Sequence, residues 1–144
     1  CIESYVSRRG IIMTAQDFIK GTDIPSKLRE LKPSELSMEV MAEQADAGDE
    51  LAIKVLEKTG NIFGHAMTAW ASLVSPEAFV LVGEVSTRCG KHMLKEILYG
   101  MNEHLFAPMR WNNKVYISTL RGDDASILYS SALAWQTKEY DMLL

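Results

Sequence analysis

The 144-residue sequence predicts a helix-rich α/β domain with a short parallel sheet, and three observations carry that expectation. Between residues 50 and 74, Leu51, Val55, Ile62, Ala66 and Leu73 fall on one helical face, with Ala52, Leu56, Phe63, Met67 and Trp70 beside them. So wide an apolar stripe implies burial against a sheet or a second helix. Two runs, Ala78-Phe79-Val80-Leu81-Val82 and Lys114-Val115-Tyr116-Ile117-Ser118-Thr119, read as strands. The first is unbroken apolar sequence of the kind found in buried parallel strands. A helical stretch over 90–106 separates them, and another helix follows the second. Strand, helix, strand, helix implies a right-handed crossover joining two neighbouring parallel strands.

Taken in order, residues 3–19 carry Tyr5, Ile12, Ala15 and Ile19 at roughly helical spacing and predict a helix that breaks near Gly10. Gly21 is its expected terminator, since glycine tolerates the left-handed conformation on which helices often end. Residues 23–34 hold two prolines and little periodicity, so a loop is expected, with one short helical turn over 27–31. Ser37 is placed to accept the first free amide protons of a helix running through Gln44. Gly48-Asp49 then breaks that helix and caps the long one. Pro76 ends the long helix, because proline disfavours helical geometry in the residue before it. Asp123 or Asp124 is expected to cap a last helix carrying Ile127, Leu128, Ala132 and Trp135.

A chain of this length suffices for one domain with one adequate core. Hydrophobic residues make up 47% and charged ones 24%, an ordinary globular composition. The formal net charge of -4 argues against a nucleic-acid surface on this segment, which would need a basic stripe to neutralise phosphates. Neither a secretory leader nor an apolar run long enough to span a bilayer is visible, so no membrane partner is expected. Cys1 and Cys89 are the two cysteines. A disulfide framework is therefore not expected, and a reducing cytoplasm is the default location.

Candidate chemistry sits at few positions. Cys1 stands two residues ahead of Glu3 at a helix start and reads as one corner of a metal or ligand site whose partners lie upstream. With no initiator methionine, the chain is expected to be an N-terminally truncated piece. On residue type alone Cys1 is either an inert thiol or a ligand. Glu3 also has two readings. As a first-turn carboxylate it meets the helix dipole, worth a few tenths to ~1 kcal/mol. Alternatively, its two oxygens accept from vicinal sugar hydroxyls through charge-assisted bonds, about twice as strong as neutral ones. Gly83, after the first strand, is either a simple turn or a place where backbone approaches a ligand with no side chain in the way. Asp123 and Asp124 are adjacent, point in different directions and make no catalytic carboxylate pair. None of His65, His92 and His104 has a cysteine or histidine at i+3 or i+4, and no serine lies in a nucleophile-elbow sequence, so no catalytic role is assigned to them. The methionines and tryptophans are assigned mostly to the core, with Trp111 as a loop exception.

These positions also carry a resemblance. Cys1-Ile2-Glu3-Ser4-Tyr5-Val6-Ser7 closely resembles the G-C-[LI]-E-x-Y-x-S signature of the ROK family of repressors, open reading frames and sugar kinases. Val80-Leu81-Val82-Gly83-Glu84-Val85-Ser86 resembles the family's V-L-G-G-G-V-S, and Ser75-Pro76-Glu77-Ala78 ahead of it is close to N-P-E-x-[IV]. Gly122-Asp123-Asp124-Ala125-Ser126-Ile127-Leu128 resembles G-x-D-A-x-L-x-G-A-A. The likeness continues to Trp135.

The resemblance implies the C-terminal lobe of a glucokinase-like sugar kinase over residues 1–144, with the actin-like ATPase (ribonuclease H-like) fold. It implies that Glu3 touches a hexose or amino-hexose, that Gly83 lies where backbone approaches the adenosine of ATP, and that the assembly is a homo-oligomer. Cys1 is similar to the last cysteine of the family's C-x-C-G-x-x-G-C zinc cluster. A tetrahedral structural zinc needs four nitrogen or sulfur ligands and this chain could supply one, so zinc belongs to the whole kinase and is not expected here. ATP and Mg likewise belong to the whole kinase. The family's D-x-G-G-T phosphate loop, its N-D catalytic pair and its second phosphate glycines lie upstream, so the chain is not expected to transfer a phosphoryl group alone. Two other readings stand: the sugar-sensing lobe of a ROK transcriptional repressor, and a degenerate, non-catalytic relative. Val82 and Glu84 replace two of the family's glycines, and Tyr129 stands where the family has a small one, which fits the latter.

Overall fold

The computed structural model describes residues 1–110, 112–120 and 122–141, and of 122, 123, 126 and 136–141 the backbone alone. Trp111 lies outside the described residues. The elements run α1 (Glu3–Val6), α2 (Arg8–Gly21), α3 (Met38–Asp46), α4 (Glu50–Val74), β1 (Ala78–Leu81), α5 (Glu84–His104), β2 (Lys114–Ile117) and α6 (Gly122–Asp141), with 3-10 turns at Lys27–Glu30, Pro33–Glu35 and Ala107–Met109. β1 and β2 pair in parallel, Ala78 opposite Lys114 and Leu81 opposite Ile117. The expected helix-rich domain with a short parallel sheet is what forms. No helix among the described residues is long and apolar enough to cross a membrane.

The opening helix is two helices rather than one. Ser7 is extended (ψ 162°) and its hydroxyl accepts from the Gly10 N–H, so the break falls at a capping serine, three residues before the glycine expected to cause it. Gly10 is buried inside α2, where a Cβ would collide with the backbone of Ser4. α2 does end at Gly21, but through an extended Thr22 rather than a left-handed glycine. The loop beyond is held by Arg29, whose guanidinium donates to the carbonyls of Ile19 (2.6 Å) and Ile24 (2.8 Å) and to that of Thr22.

Ser37 caps α3 through Val40 N–H, and Asp49 caps α4 through Ala52 N–H after Gly48 turns at φ 83°. α4 ends with Ser75 in the left-handed region (φ 49°), just before Pro76.

α4 and α5 lie side by side and carry the centre of the core. A Cβ on Gly60 would come 2.6 Å from the Met93 carbonyl oxygen, one on Gly100 2.5 Å from that of Asn61, and one on Gly64 would collide with Ile97 and Met101 backbone. Three missing side chains thus let the helices touch backbone to backbone. Thr68 Oγ1 adds a hydrogen bond to the Met101 carbonyl at 3.1 Å. Leu51, Val55, Leu56 and Met67 of α4 and Met93, Ile97 and Met101 of α5 are buried around this seam, with Ile11 and Ala15 from α2 and Met38 and Met41 from α3.

The seam pairs Gly60 with Met93, Gly64 with Ile97 and Thr68 with Met101, so the helices run in the same direction. α4 therefore extends about a turn beyond the end of α5. Leu73, assigned to the buried stripe, sits in that overhang and is 82% exposed. Trp70 and Trp135, assigned to the core, are exposed as well; Trp70 meets Phe63 edge-on at 6.2 Å.

α5 begins at Glu84, six residues before its expected start at 90, because Gly83 turns the chain directly from β1 into the helix. Gly90, the first residue of the expected helix, is buried mid-helix, and Ile117 of β2 fills the space where its Cβ would be. β1 is only half-buried, and Val80 is exposed, since two strands cover little of each other's faces. Asp123 and Asp124 do not cap α6. The helix already includes Gly122, which puts both inside its first turn rather than at its cap. Of the α6 side chains described, Ala125 is buried while Ile127, Leu128, Tyr129, Leu133 and Trp135 are exposed.

Candidate functional site

Gly83 takes φ 109° and ψ 174°, a region essentially reserved for glycine. Its carbonyl accepts from the hydroxyls of Ser86 and Thr87, both at 2.9 Å, which closes the first turn of α5. A Cβ at Gly83 would meet nothing within 4 Å. Backbone conformation, not crowding, requires glycine here, and its Cα faces open space.

That space is a cleft of about 490 Å³ lined by Val82, Gly83, Leu120, Ala125, Leu128 and Tyr129. The β1–α5 turn and the start of α6, far apart in sequence, meet across it. The lining is apolar except for the Tyr129 hydroxyl. Behind the turn lies a second depression of about 420 Å³, with Val6, Phe63, Val80, Glu84 and Met93 among its walls.

Glu84, whose charge disfavours a nearby phosphate, does not stand unpaired. Its carboxylate accepts from Arg8 and, at 3.2 Å, from Arg88 Nε, while Arg88 Nη2 lies 3.4 Å from Glu39. Four alternating charges thus tie α2, α3 and α5. Glu39's carboxyl is held below its ordinary range by its own backbone N–H, then by the Ser37 hydroxyl, with Arg88 adding to them.

Glu3 is exposed in α1, and its carboxylate has no hydrogen-bond or ion-pair partner among the described residues. With Ser4, Ser7, Arg8, Arg9 and Gly10 it lines an open groove of about 600 Å³. Hydroxyls, guanidinium groups and a free carboxylate suit a polyhydroxylated ligand. α1 has only four residues, too short for much of a dipole. The structure therefore puts Glu3 and Gly83 in two separate depressions. Arg8, which lines the first and pairs with Glu84 beside the second, connects them.

Cys1 is exposed and free, and Cys89 is buried and free. Burial, reinforced by Asp46, pushes the Cys89 thiol up from 9.0 to about 11. Asp46 itself is lowered by Lys91 (Nζ at 2.7 Å) and then His92 (Nε2 at 2.6 Å), a second α3–α5 link. Among the described residues Cys1 belongs to no group of three or more metal-ligating side chains. Among the described residues, the metal-ligating side chains that come within reach of a common ion are His65, Glu103 and His104.

The group is invisible to an i+3 or i+4 pattern along one helix, because His65 and His104 meet between helices. Their rings lie 4.1 Å apart and tilted 48°, with Glu103 Oε2 3.5 Å from His65 Nε2 and 3.8 Å from His104 Nδ1. The signal that could have found them is Gly60-x-x-x-Gly64, which marks a close helix contact one residue before His65.

This architecture, a two-stranded parallel sheet flanked by a glycine-notched helix pair, carries an apolar cleft at a strand-to-helix turn and a polar groove at its N-terminal helices. The sequence profile of the ROK family matches residues 1–137, and the chain belongs to that family. Solved structures share its fold. One is a protein from Cytophaga hutchinsonii ATCC 33406 assigned as a sugar kinase: TM-score 0.73 at 24% identity, over 85% of this chain and 40% of that one. Another is a ROK family transcriptional regulator, a homologue of the E. coli MLC protein, at 0.70 and 24%, over 81% of this chain and 28% of that one. A third is a ROK family glucokinase from Streptomyces griseus in complex with glucose and AMPPNP, at 0.70 and 21%, over 86% of this chain and 41% of that one. The chain spans less than half the length of each. No curated protein matches it.

Proposed function

We propose that the chain is the C-terminal lobe of an ATP-dependent hexose kinase of the glucokinase kind, an actin-like ATPase, and contributes its sugar- and adenosine-binding elements. The observation that carries this reading is the cleft at Gly83. A backbone that only glycine adopts exposes its Cα to a space walled by Leu120, Ala125 and Leu128, which suits the flat face of a purine. Glu84, already paired with Arg8 and Arg88, sets no free charge against the nucleotide. ATP with Mg would supply the transferred phosphoryl group and neutralise its charge. This chain's residues bind and orient: the wall residues hold the base, and Glu3 accepts from two adjacent hydroxyls of a hexose or amino-hexose. The aspartate that removes the sugar proton would come from outside this chain. Among the described residues Cys1 joins no group of three or more metal-ligating side chains, so a zinc there would draw its remaining ligands from outside this chain.

Kinetics of the full-length kinase test the reading. Leu128→Asp, on an exposed wall of the cleft, should raise the KM for ATP at least tenfold and leave the KM for sugar within about twofold. Glu3→Gln should weaken sugar affinity by about 1.5–3 kcal/mol through its two charge-assisted bonds, without moving ATP. An ATP KM indifferent to Leu128→Asp would overturn the adenosine assignment. Val82 and Tyr129 favour one alternative, a degenerate, non-catalytic relative. A full-length protein that binds glucose but no AMPPNP would establish it.

A further inference from the structure

We propose that His65, Glu103 and His104 form a binding site for a divalent transition-metal ion of the zinc class, joining α4 to α5. Zinc bonds to imidazole nitrogen and carboxylate oxygen run about 2.0–2.2 Å, so two ligands of a tetrahedral ion sit about 3.4 Å apart. Glu103 Oε2 is already 3.5 Å from His65 Nε2 and 3.8 Å from His104 Nδ1, and all three ligand atoms lie within 4.8 Å of one another. Small side-chain rotations close the set.

The fold holds these groups in place. The backbone contact at Gly60, Gly64 and Gly100 brings the two helices within reach, and the His65 ring rests against Gly100, whose Cβ would lie 3.1 Å from its Cδ2. Glu103 and His104 are the last two residues of α5, where the negative end of the helix dipole favours a cation. Arg110 donates to the main-chain carbonyls of Leu105 and Glu103, so the Glu103 carboxylate is left to the imidazoles.

Two imidazoles and one carboxylate select zinc, nickel, cobalt or copper over calcium and magnesium, which prefer oxygen-only sets. The side chains are between two-fifths and about half exposed, so water completes the coordination and the ion exchanges with solvent. Cys1 is not part of the group.

Calorimetric titration of the full chain with Zn²⁺ at neutral pH is expected to give one ion per chain at micromolar affinity. His65→Ala and His104→Ala should each weaken it at least tenfold. Zinc should raise the melting midpoint of the wild type and not that of either variant, because the ion bridges two helices. With Co²⁺ the bound form should show ligand-field bands and no thiolate charge-transfer band. Failure to bind zinc up to millimolar concentration, binding that survives both histidine substitutions, or a thiolate band that moves the ion to a cysteine would each overturn the site.

Discussion

The α4–α5 seam and the cleft beside α6 both depend on glycines, for opposite reasons. At Gly60, Gly64 and Gly100 the missing Cβ makes room for another backbone; at Gly83 it permits a conformation and nothing fills the space. One region uses glycine to close, the other to stay open. Packing is tight along the seam, while the exposed apolar side chains of Val82, Leu120, Leu128 and Tyr129 line the cleft.

Four measurements would sharpen or break that contrast. The largest effect is expected from Gly64→Val, since its side chain would enter the Ile97 and Met101 backbone. Overpacking of this kind costs typically 1–3 kcal/mol and more where backbone blocks the way, so about 3 kcal/mol or above should appear in urea unfolding. A near-neutral result would mean that the seam can open.

Next comes the pH dependence set by Cys89, buried on the same side of the fold. Its thiol binds a proton more tightly folded than unfolded, so that stability is complete below about pH 9 and is lost as pH rises towards 11. The loss should be roughly 2–3 kcal/mol and should disappear in Cys89→Ala. A wild-type curve as flat as the variant's would show the thiol to be in contact with water.

Gly83→Ala should cost about 1–2 kcal/mol from its backbone angle alone, less than Gly64→Val because no atom stands in the way. Were the two equal, the distinction between crowding and conformation would fail. The smallest effect belongs to Ile127→Ser on the exposed face of α6, within ±0.5 kcal/mol. A larger loss would mean that α6 is packed rather than open.

What could be read from sequence alone follows the same division. α4 was legible end to end because Asp49, Gly48 and Pro76 act on their own neighbours. So were the turn near 27–31 and the cap at Ser37. Glu3 and Gly83 stood out through local motifs, and each does line a depression. The true start of α5 is not legible locally: Gly90 sits mid-helix against Ile117, which lies 27 residues further on in another element. The exposure of Leu73, Trp70 and Trp135 depends on which element covers them, a fact that helical periodicity does not contain. The His65–His104 pairing is tertiary in the same sense.

The run of alternating charges from Arg8 through Glu84 and Arg88 to Glu39 carries a consequence for cooperation between the two depressions. Arg8 is shared: a ligand in the Glu3 groove that draws its guanidinium takes it from Glu84, at the lip of the Gly83 turn. If both depressions take ligands as proposed, binding at either end is felt at the other, and the effect is the same in both directions. Exposed pairs are each worth up to ~1 kcal/mol and are screened within about 8 Å at physiological salt. The degree of that mutual influence is therefore set by the medium as much as by the protein: strongest in dilute buffer, fading as salt is added.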